Sequence, residues 1–449
     1  MTVAGAGHPD GAEADWARSG VVALTGHPDG PPLVPPGRGA SLAVDLAGRL
    51  RAATGGRIDL DGAALLGERA AFTGHRRSGR VSPGGHTRLL PTADGWAALS
   101  CSRPDDPLLY GALVGAELPA DPWPGIARWV AARSGAALAE RAELLGLAAG
   151  PVASAEPARF PSGALRAAAG LRVVSFGALW AAPLCAHLLR TGGAEVITVE
   201  TPGRPDGARH GSPDFHRLLH GGERSVVLDP VRDRAALHAL VRSADVVIEA
   251  SRPRALRGFG VDAAAETARG AAWVSVTAAG RDSNRIGFGD DVAAGAGLVA
   301  HDADGLPVFC GDALADPLSG LTAAVWALAE PGTVREVPMA GVVAATLAGT
   351  AGADGPSPAC RRTGDGWVTP AGHPVARPGR REPVGTAPEA GADTAAVLAG
   401  PGPAGSGLAG PGPAGSGLAG PGPAGSELTG PELDGPGLDR PGPDGAPCC

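Results

Sequence analysis

Between residues 171 and 278, short β-branched runs alternate with amphipathic stretches, and this alternation limits the fold more than any other feature of the chain. LRVVSF (171–176), AEVITVE (194–200), SVVLD (225–229), DVVIEA (245–250) and AAWVSVTA (271–278) read as buried strands. APLCAHLLRTGG (182–193) and RDRAALHALVRSA (232–244) read as helices between them. Strands separated by helices pair in parallel, so the expected fold is α/β with an open, Rossmann-like parallel sheet. Such sheets bind ligands beyond the carboxyl ends of their strands. Those ends carry Glu200, Asp229, Glu249–Ser251 and Thr277–Gly280. The turn after the first strand, GALWAAP, lacks G-x-G-x-x-G, which argues against a nicotinamide or flavin dinucleotide.

The 449 residues suffice for two or three domains. The net charge of −8 disfavours a nucleic-acid or anionic-membrane partner. All 38 basic residues are Arg, so Schiff-base, pyridoxal-phosphate and Walker-A lysine chemistry are excluded. The cysteines at 101, 185, 310, 360, 448 and 449 form no C-x-x-C, and their scatter suggests neither zinc nor a disulfide framework. No signal-peptide pattern opens the sequence, and no apolar run reaches the length of a membrane span. The expected setting is a reducing cytoplasm, and no metal site is expected.

Residues 1–15 read as a flexible leader and 391–449, rich in Gly, Pro and Ala with the repeat GPGPAGSGLA, as a disordered tail. The flanks of the sheet resemble each other. Residues 19–49 parallel 295–325, each with a D-G-x-P turn, a few extended residues and then an Asp-led helix, and TADGWAALS (92–100) echoes GDGWVTPAG (364–372). We infer an internal duplication.

Two aspartates stand in CGDALADPLSG (310–320). Asp316 before Pro317 is suited to a helix N-cap, ahead of the apolar run LSGLTAAVWALA. A carboxylate at a helix start is equally suited to act as a nucleophile. Local pattern leaves both readings open. Asp312 reads as a solvated loop residue.

Four stretches together are similar to the class III CoA-transferases, the family of formyl-CoA and carnitine CoA-transferases that also contains the α-methylacyl-CoA racemases. They are 171–209, with its strand–helix–strand and VETPGRP; 221–262, with GGERSVVLD and ADVVIEASRP; 271–280; and GDALADPLSGL at 311–321. The resemblance implies an acyl-CoA:carboxylate CoA-transferase, with an acyl-CoA and a carboxylic acid as partners, no cofactor beyond the CoA thioester substrate, and a homodimer. It implies that Asp316 is the nucleophile, passing through an anhydride and an aspartyl-CoA thioester. The helix dipole is expected to keep this carboxyl ionised.

Carried onto matching positions, it implies CoA contacts from Arg209, Asp229, Ala250, Ser251, Arg252 and Arg257. It further implies that 16–155 is a copy of the family's smaller second domain placed ahead of the Rossmann-like CoA-binding domain at 165–330, with 331–390 a shortened return segment. Asp45 stands in the earlier copy at the place of Asp316, offset by about one residue. In the racemase branch a His acts in G-H-D; GFGDDVAAG puts Asp290 there, which disfavours racemisation, and the duplicated order leaves a degenerate CoA-binding paralogue without turnover as the non-enzyme alternative.

Overall fold

The computed structural model describes residues 9–251, 253–329, 331–349 and 355–399. A three-stranded antiparallel sheet comes first: β1 (Thr87–Pro91), β2 (Trp96–Ser100) and β3 (Ala149–Pro151). The main sheet then builds from β4 (Arg172–Phe176), β5 (Glu195–Glu200), β6 (Arg224–Val227), β7 (Val246–Glu249) and β8 (Ala272–Thr277). A hairpin of β9 (Val299–His301) and β10 (Pro307–Phe309) follows, and β11 (Val334–Pro338) returns to the main sheet. Its order is β11-β8-β7-β4-β5-β6, with every pairing parallel.

All five expected strands are present within one or two residues of their expected ends. The sixth, β11, was read only as a return segment, because VREVP alternates weakly and is half exposed. Val173, Val174, Ile197, Val247 and Val274 are buried, since helices cover both faces of a parallel sheet.

Helix Ala315–Leu328 packs against helix Ala181–Thr191, helix Gly39–Ala53 and β8. It is enclosed on nearly every side, which explains a sequence apolar all round. A Cβ on Gly320 would lie 2.7 Å from the Ala181 carbonyl oxygen, so only glycine permits this approach.

The segment expected to form one unit at 16–155 divides. Trp16, Val21, Leu46, Leu50 and Leu66 belong to the same core as Val173, Leu184 and Leu318. Beyond about residue 82, β1–β3 and three helices enclose a separate core around Leu99, Tyr110, Ile126, Leu138 and Leu147. Leu89 and Ala98 join it to the main body by packing on Ala294, Val299 and Phe309.

Two terminal expectations need correction. Residues 9–15 of the leader start helix Pro9–Arg18, held where Ser41 Oγ donates to Asp15 at 2.6 Å. Residues 391–399 of the tail lie along β6. There the Asp393 carboxylate and Thr394 hydroxyl accept from the Ser225 and Val227 amides at 2.9 and 3.0 Å, which covers an edge strand. Residues 1–8 and 400–449, with Cys448 and Cys449, fall outside the described residues.

The resembling flanks share geometry. His27–Gly30 and Asp302–Gly305 each close with an amide-to-carbonyl bond across four residues, and the turns meet where His27 Nε2 lies 2.9 Å from Asp302 Oδ2. Both D-G-W stretches form antiparallel hairpins, β1–β2 and Arg361–Thr363 with Gly366–Val368. No helix among the described residues is long and apolar enough to cross a membrane.

Candidate active site

The chain reaches Asp316 through a strained turn. Gly311 has φ +63°, and Ala313, which carries a Cβ, has φ +50°. An L-residue held there costs about 1–2 kcal/mol. The Ala313 amide donates to Asp290 Oδ1 at 2.7 Å, which holds the turn in place. Asp316 is the second residue of helix Ala315–Leu328, with Leu314 at the cap. The expected N-cap role is therefore absent: no backbone amide donates to its carboxylate. Among the described residues, no hydrogen bond or ion pair engages this side chain, which is half-buried.

Opposite stands Gly289, the first residue of helix Gly289–Gly295. A Cβ there would come within 2.3 Å of Asp316 Oδ2 and 2.5 Å of the Ala313 carbonyl oxygen. The bare glycine leaves the Asp316 carboxyl room.

Asp312 is fully buried, not a solvated loop residue. Arg69 clasps it with two bonds, Nη2–Oδ1 at 2.6 Å and Nε–Oδ2 at 3.0 Å, and His75 Nδ1 lies 3.2 Å from Oδ1. Burial alone would push the Asp312 carboxyl up, but Arg69 and His75 outweigh it and hold the group well below the usual carboxylate range. Arg69 also lies over the Trp180 ring, 5.4 Å from its centroid.

Asp316 behaves oppositely. Burial, reinforced by the charges of Asp290, Asp291 and Asp312 and opposed by Arg69, raises it to about 7. The helix dipole thus does not keep it ionised as expected; dehydration and like charge prevail. Burial, then Asp312, raises Asp290 to about 6. Burial also raises Asp291 to about 6. Asp291 Oδ1 accepts from Ser100 Oγ at 2.8 Å and the Phe288 amide at 2.9 Å, joining the β1–β3 unit to helix Gly289–Gly295.

The described residues expected to contact CoA divide between internal bonds and the surface. The Arg209 guanidinium is bound by both Glu200 oxygens, and its Nη1 donates to the Pro388 carbonyl at 3.1 Å. It is committed internally. The Asp229 carboxylate accepts from the Val231 and Arg232 amides at 2.9 and 3.0 Å, shaping the turn after β6. Ala250 is exposed, Ser251 is half-buried, and Arg252 falls outside the described residues. Arg257 is exposed and lines a cavity of about 250 Å³ beyond β7 and β8, with Glu249, Leu256, Trp273, Arg281 and Glu336. Arg281 pairs with Glu249, which also accepts from Trp273 Nε1 at 2.9 Å.

Asp45 is no counterpart of Asp316. It is exposed and lies mid-way along helix Gly39–Ala53, whereas Asp316 stands in the first turn of its helix. Sequence reasoning missed Arg69 and His75. Their one signal was the charged residues of GERAAFTGH within an apolar stretch, and their partner lies 243 residues away in sequence for Arg69 and 237 for His75.

Residues 168–351 match the family model described as CoA-transferase family III. A formyl-CoA:oxalate CoA-transferase of Rhodopseudomonas palustris is 34% identical over 100 residues, 20% of this chain and 24% of that protein. An Escherichia coli protein of the same name is 29% identical over 100 residues, with the same shares covered. The match spans about a quarter of the length of these curated relatives. Among solved structures, the hypothetical protein Rv3272 of Mycobacterium tuberculosis is 30% identical, with a TM-score of 0.37, over 39% of this chain and 56% of that one. A CAIB/BAIF family protein of Brucella suis is 23% identical, with a TM-score of 0.39, over 44% and 64%.

Proposed function

We propose that this chain, which carries a CoA-transferase family III segment at 168–351, transfers CoA between an acyl-CoA thioester and an acceptor carboxylic acid, with Asp316 as nucleophile. The observation that supports this best is the Asp316 carboxyl itself. Among the described residues it lacks any ion pair or hydrogen bond, it faces a glycine, and it stands at the position the family resemblance assigns to the nucleophile.

The steps balance without water or a further reactant. The Asp316 carboxylate attacks the thioester carbonyl, giving an acyl-aspartyl anhydride and CoA thiolate. The thiolate attacks the aspartyl carbonyl, giving aspartyl-CoA and releasing the first acid as its carboxylate. The acceptor carboxylate then attacks aspartyl-CoA, forming a second anhydride and thiolate. Thiolate attack on the acceptor's carbonyl yields the new acyl-CoA and restores Asp316. Each step is an acyl exchange between good leaving groups.

An unpaired carboxylate is the better nucleophile, and Arg69 serves by neutralising Asp312 beside it. Gly289 leaves room for the acyl group at the carboxyl, while the buried Ala313 and Ala315 bring no polar group to it. Arg257, at the rim of the cavity beyond β7 and β8, is the residue we assign to a CoA phosphate, for which its fork geometry is suited. The assembly is a homodimer in the cytoplasm on this reading.

One observation favours a second reading. Asp290 and Asp316 both titrate near neutrality, which suits proton transfer at the α-carbon of an acyl-CoA. The two readings separate by the need for an acceptor acid. Transfer of CoA from formyl-CoA or another acyl-CoA to an added carboxylate, abolished in Asp316→Asn, supports the transferase. Solvent deuterium entering the α-position with no acceptor present supports the racemase and overturns the transferase.

A further inference from the structure

Helix Pro213–His220 carries His216 and His220 one turn apart, on one face. Their rings stack with centroids 4.5 Å apart. Asp206, from the loop after β5, completes a group in which one ligand atom from each residue lies within 4.8 Å of the other two. All three are more than nine-tenths buried, with Asp206 3%, His216 9% and His220 5% exposed.

Among the described residues the converging atoms, Asp206 Oδ2, His216 Nε2 and His220 Nε2, are buried and make no hydrogen bond, and Asp206 Oδ2 and His220 Nε2 meet only as a loose ion pair. Asp206 Oδ2 and His220 Nε2 stand 3.6 Å apart, beyond hydrogen-bond length. Ligands on one tetrahedral ion, with bonds of about 2.0–2.1 Å, stand roughly 3.3 Å apart. The surrounding groups fit the same purpose. Asp206 Oδ1 accepts from the Leu179 and Ala208 amides, both at 2.9 Å, leaving Oδ2 to face the histidines. His220 Nδ1 lies 3.0 Å from Glu223 Oε2, which also accepts from Thr198 Oγ1 at 2.7 Å. A carboxylate behind Nδ1 places the proton there and leaves the Nε2 lone pair inward, as in metal-bound histidines.

We propose that Asp206, His216 and His220 form a buried binding site for a divalent transition-metal ion of zinc's class. The two imidazole nitrogens are borderline donors and outnumber the one hard carboxylate oxygen, which suits Zn²⁺ over Mg²⁺ or Ca²⁺. The site is structural and lies apart from the Asp316 chemistry. It holds Asp206, and Asp206 holds the Leu179 amide at φ +68°. The next residue, Trp180, meets Phe215 edge-on at 5.4 Å and lies under Arg69. The ion thus ties helix Pro213–His220 to the loop that supports Arg69.

The test uses the full chain carrying Cys448→Ser and Cys449→Ser, because adjacent thiols bind soft metals themselves. The protein is stripped with a chelator, dialysed against ZnCl₂ or CoCl₂ near neutral pH, and analysed for metal content. The site predicts a single equivalent per chain, visible bands of four-coordinate Co²⁺, and a melting temperature that rises with Zn²⁺ and falls again with chelator. His216→Asn and His220→Asn lose the equivalent. Glu223→Gln weakens binding by about 10–100-fold. His238→Asn, altering an imidazole bonded to the Phe259 carbonyl, keeps it. Uptake far below one equivalent in the chain with both histidines intact overturns the site, whatever the variants do. Uptake unchanged in His216→Asn overturns it as well. Either result leaves His220 as an imidazolium between Asp206 and Glu223.

Discussion

Replacing Arg69 with Met perturbs the site by stranding the fully buried Asp312 carboxylate. Two N–H···O bonds, at 2.6 and 3.0 Å, join Arg69 to an Asp312 carboxylate that has no access to water. Removing the guanidinium strands that charge, for which breaking a buried pair costs about 3–5 kcal/mol. Asp312→Asn removes the charge and leaves Arg69, whose side chain is 19% exposed and can reach solvent, so it costs less, about 1–3 kcal/mol. Arg69→Met with Asp312→Asn leaves no buried ion. The double variant is therefore expected to lose about 2 kcal/mol less than the sum of the single losses, within the usual range for contacting residues. Urea unfolding of the four proteins measures this coupling. Additivity within about 0.5 kcal/mol would refute the claim that the pair acts as a unit. Arg69→Met also moves the Asp316 titration further above neutrality, because Arg69 is the cation that opposes the rise.

Other outcomes follow from the same geometry. On the transferase reading, activity should rise with pH through a limb near 7, as Asp316 ionises; a profile flat from pH 5 to 8 would contradict a nucleophile raised to about 7. Stability carries the reverse sign. The folded Asp316 carboxyl binds its proton more tightly than the unfolded one, so its contribution is present at low pH and lost as pH rises from about 4 to 7. Melting temperatures of Asp316→Asn relative to the parent should therefore climb across that window. Gly289→Ala puts a Cβ 2.3 Å from Asp316 Oδ2, and the displaced carboxyl should lose about 100-fold in kcat. Ala313→Gly relieves the positive φ and should stabilise the fold by about 0.5–1 kcal/mol in urea unfolding, with activity retained.

The main sheet was legible because each strand is a β-branched run long enough to cross it, and each helix between them has its own apolar stripe. LRVVSF and DVVIEA needed no tertiary knowledge. β11 was missed because VREVP takes its strand character from pairing with Trp273–Thr277, a contact made across more than 50 residues. The place of Asp316 in the first turn of an apolar helix was legible from the sequence around it. Its protonation was not, because burial among Asp290, Asp291 and Asp312 arises where the start of helix Gly289–Gly295 meets the turn ahead of helix Ala315–Leu328. The same holds for Asp312, which reads as a surface residue until Arg69 and His75 arrive from another part of the chain. Arg209 misled for the opposite reason: an arginine beside a strand end resembles a phosphate contact until Glu200 is seen to occupy it.

The most direct test of Asp316 as nucleophile is mass spectrometry of the protein after incubation with an acyl-CoA and trapping with hydroxylamine or borohydride. Having no lysine, the chain is cut by trypsin only at arginine, so Asp316 falls in the peptide 286–335 with Asp290, Asp291 and Asp312. Fragmentation should place the modification on Asp316, and Asp316→Asn should abolish it. Turnover in the same sample with no modification on that peptide, or with the label on Asp290, would contradict Asp316 as the nucleophile.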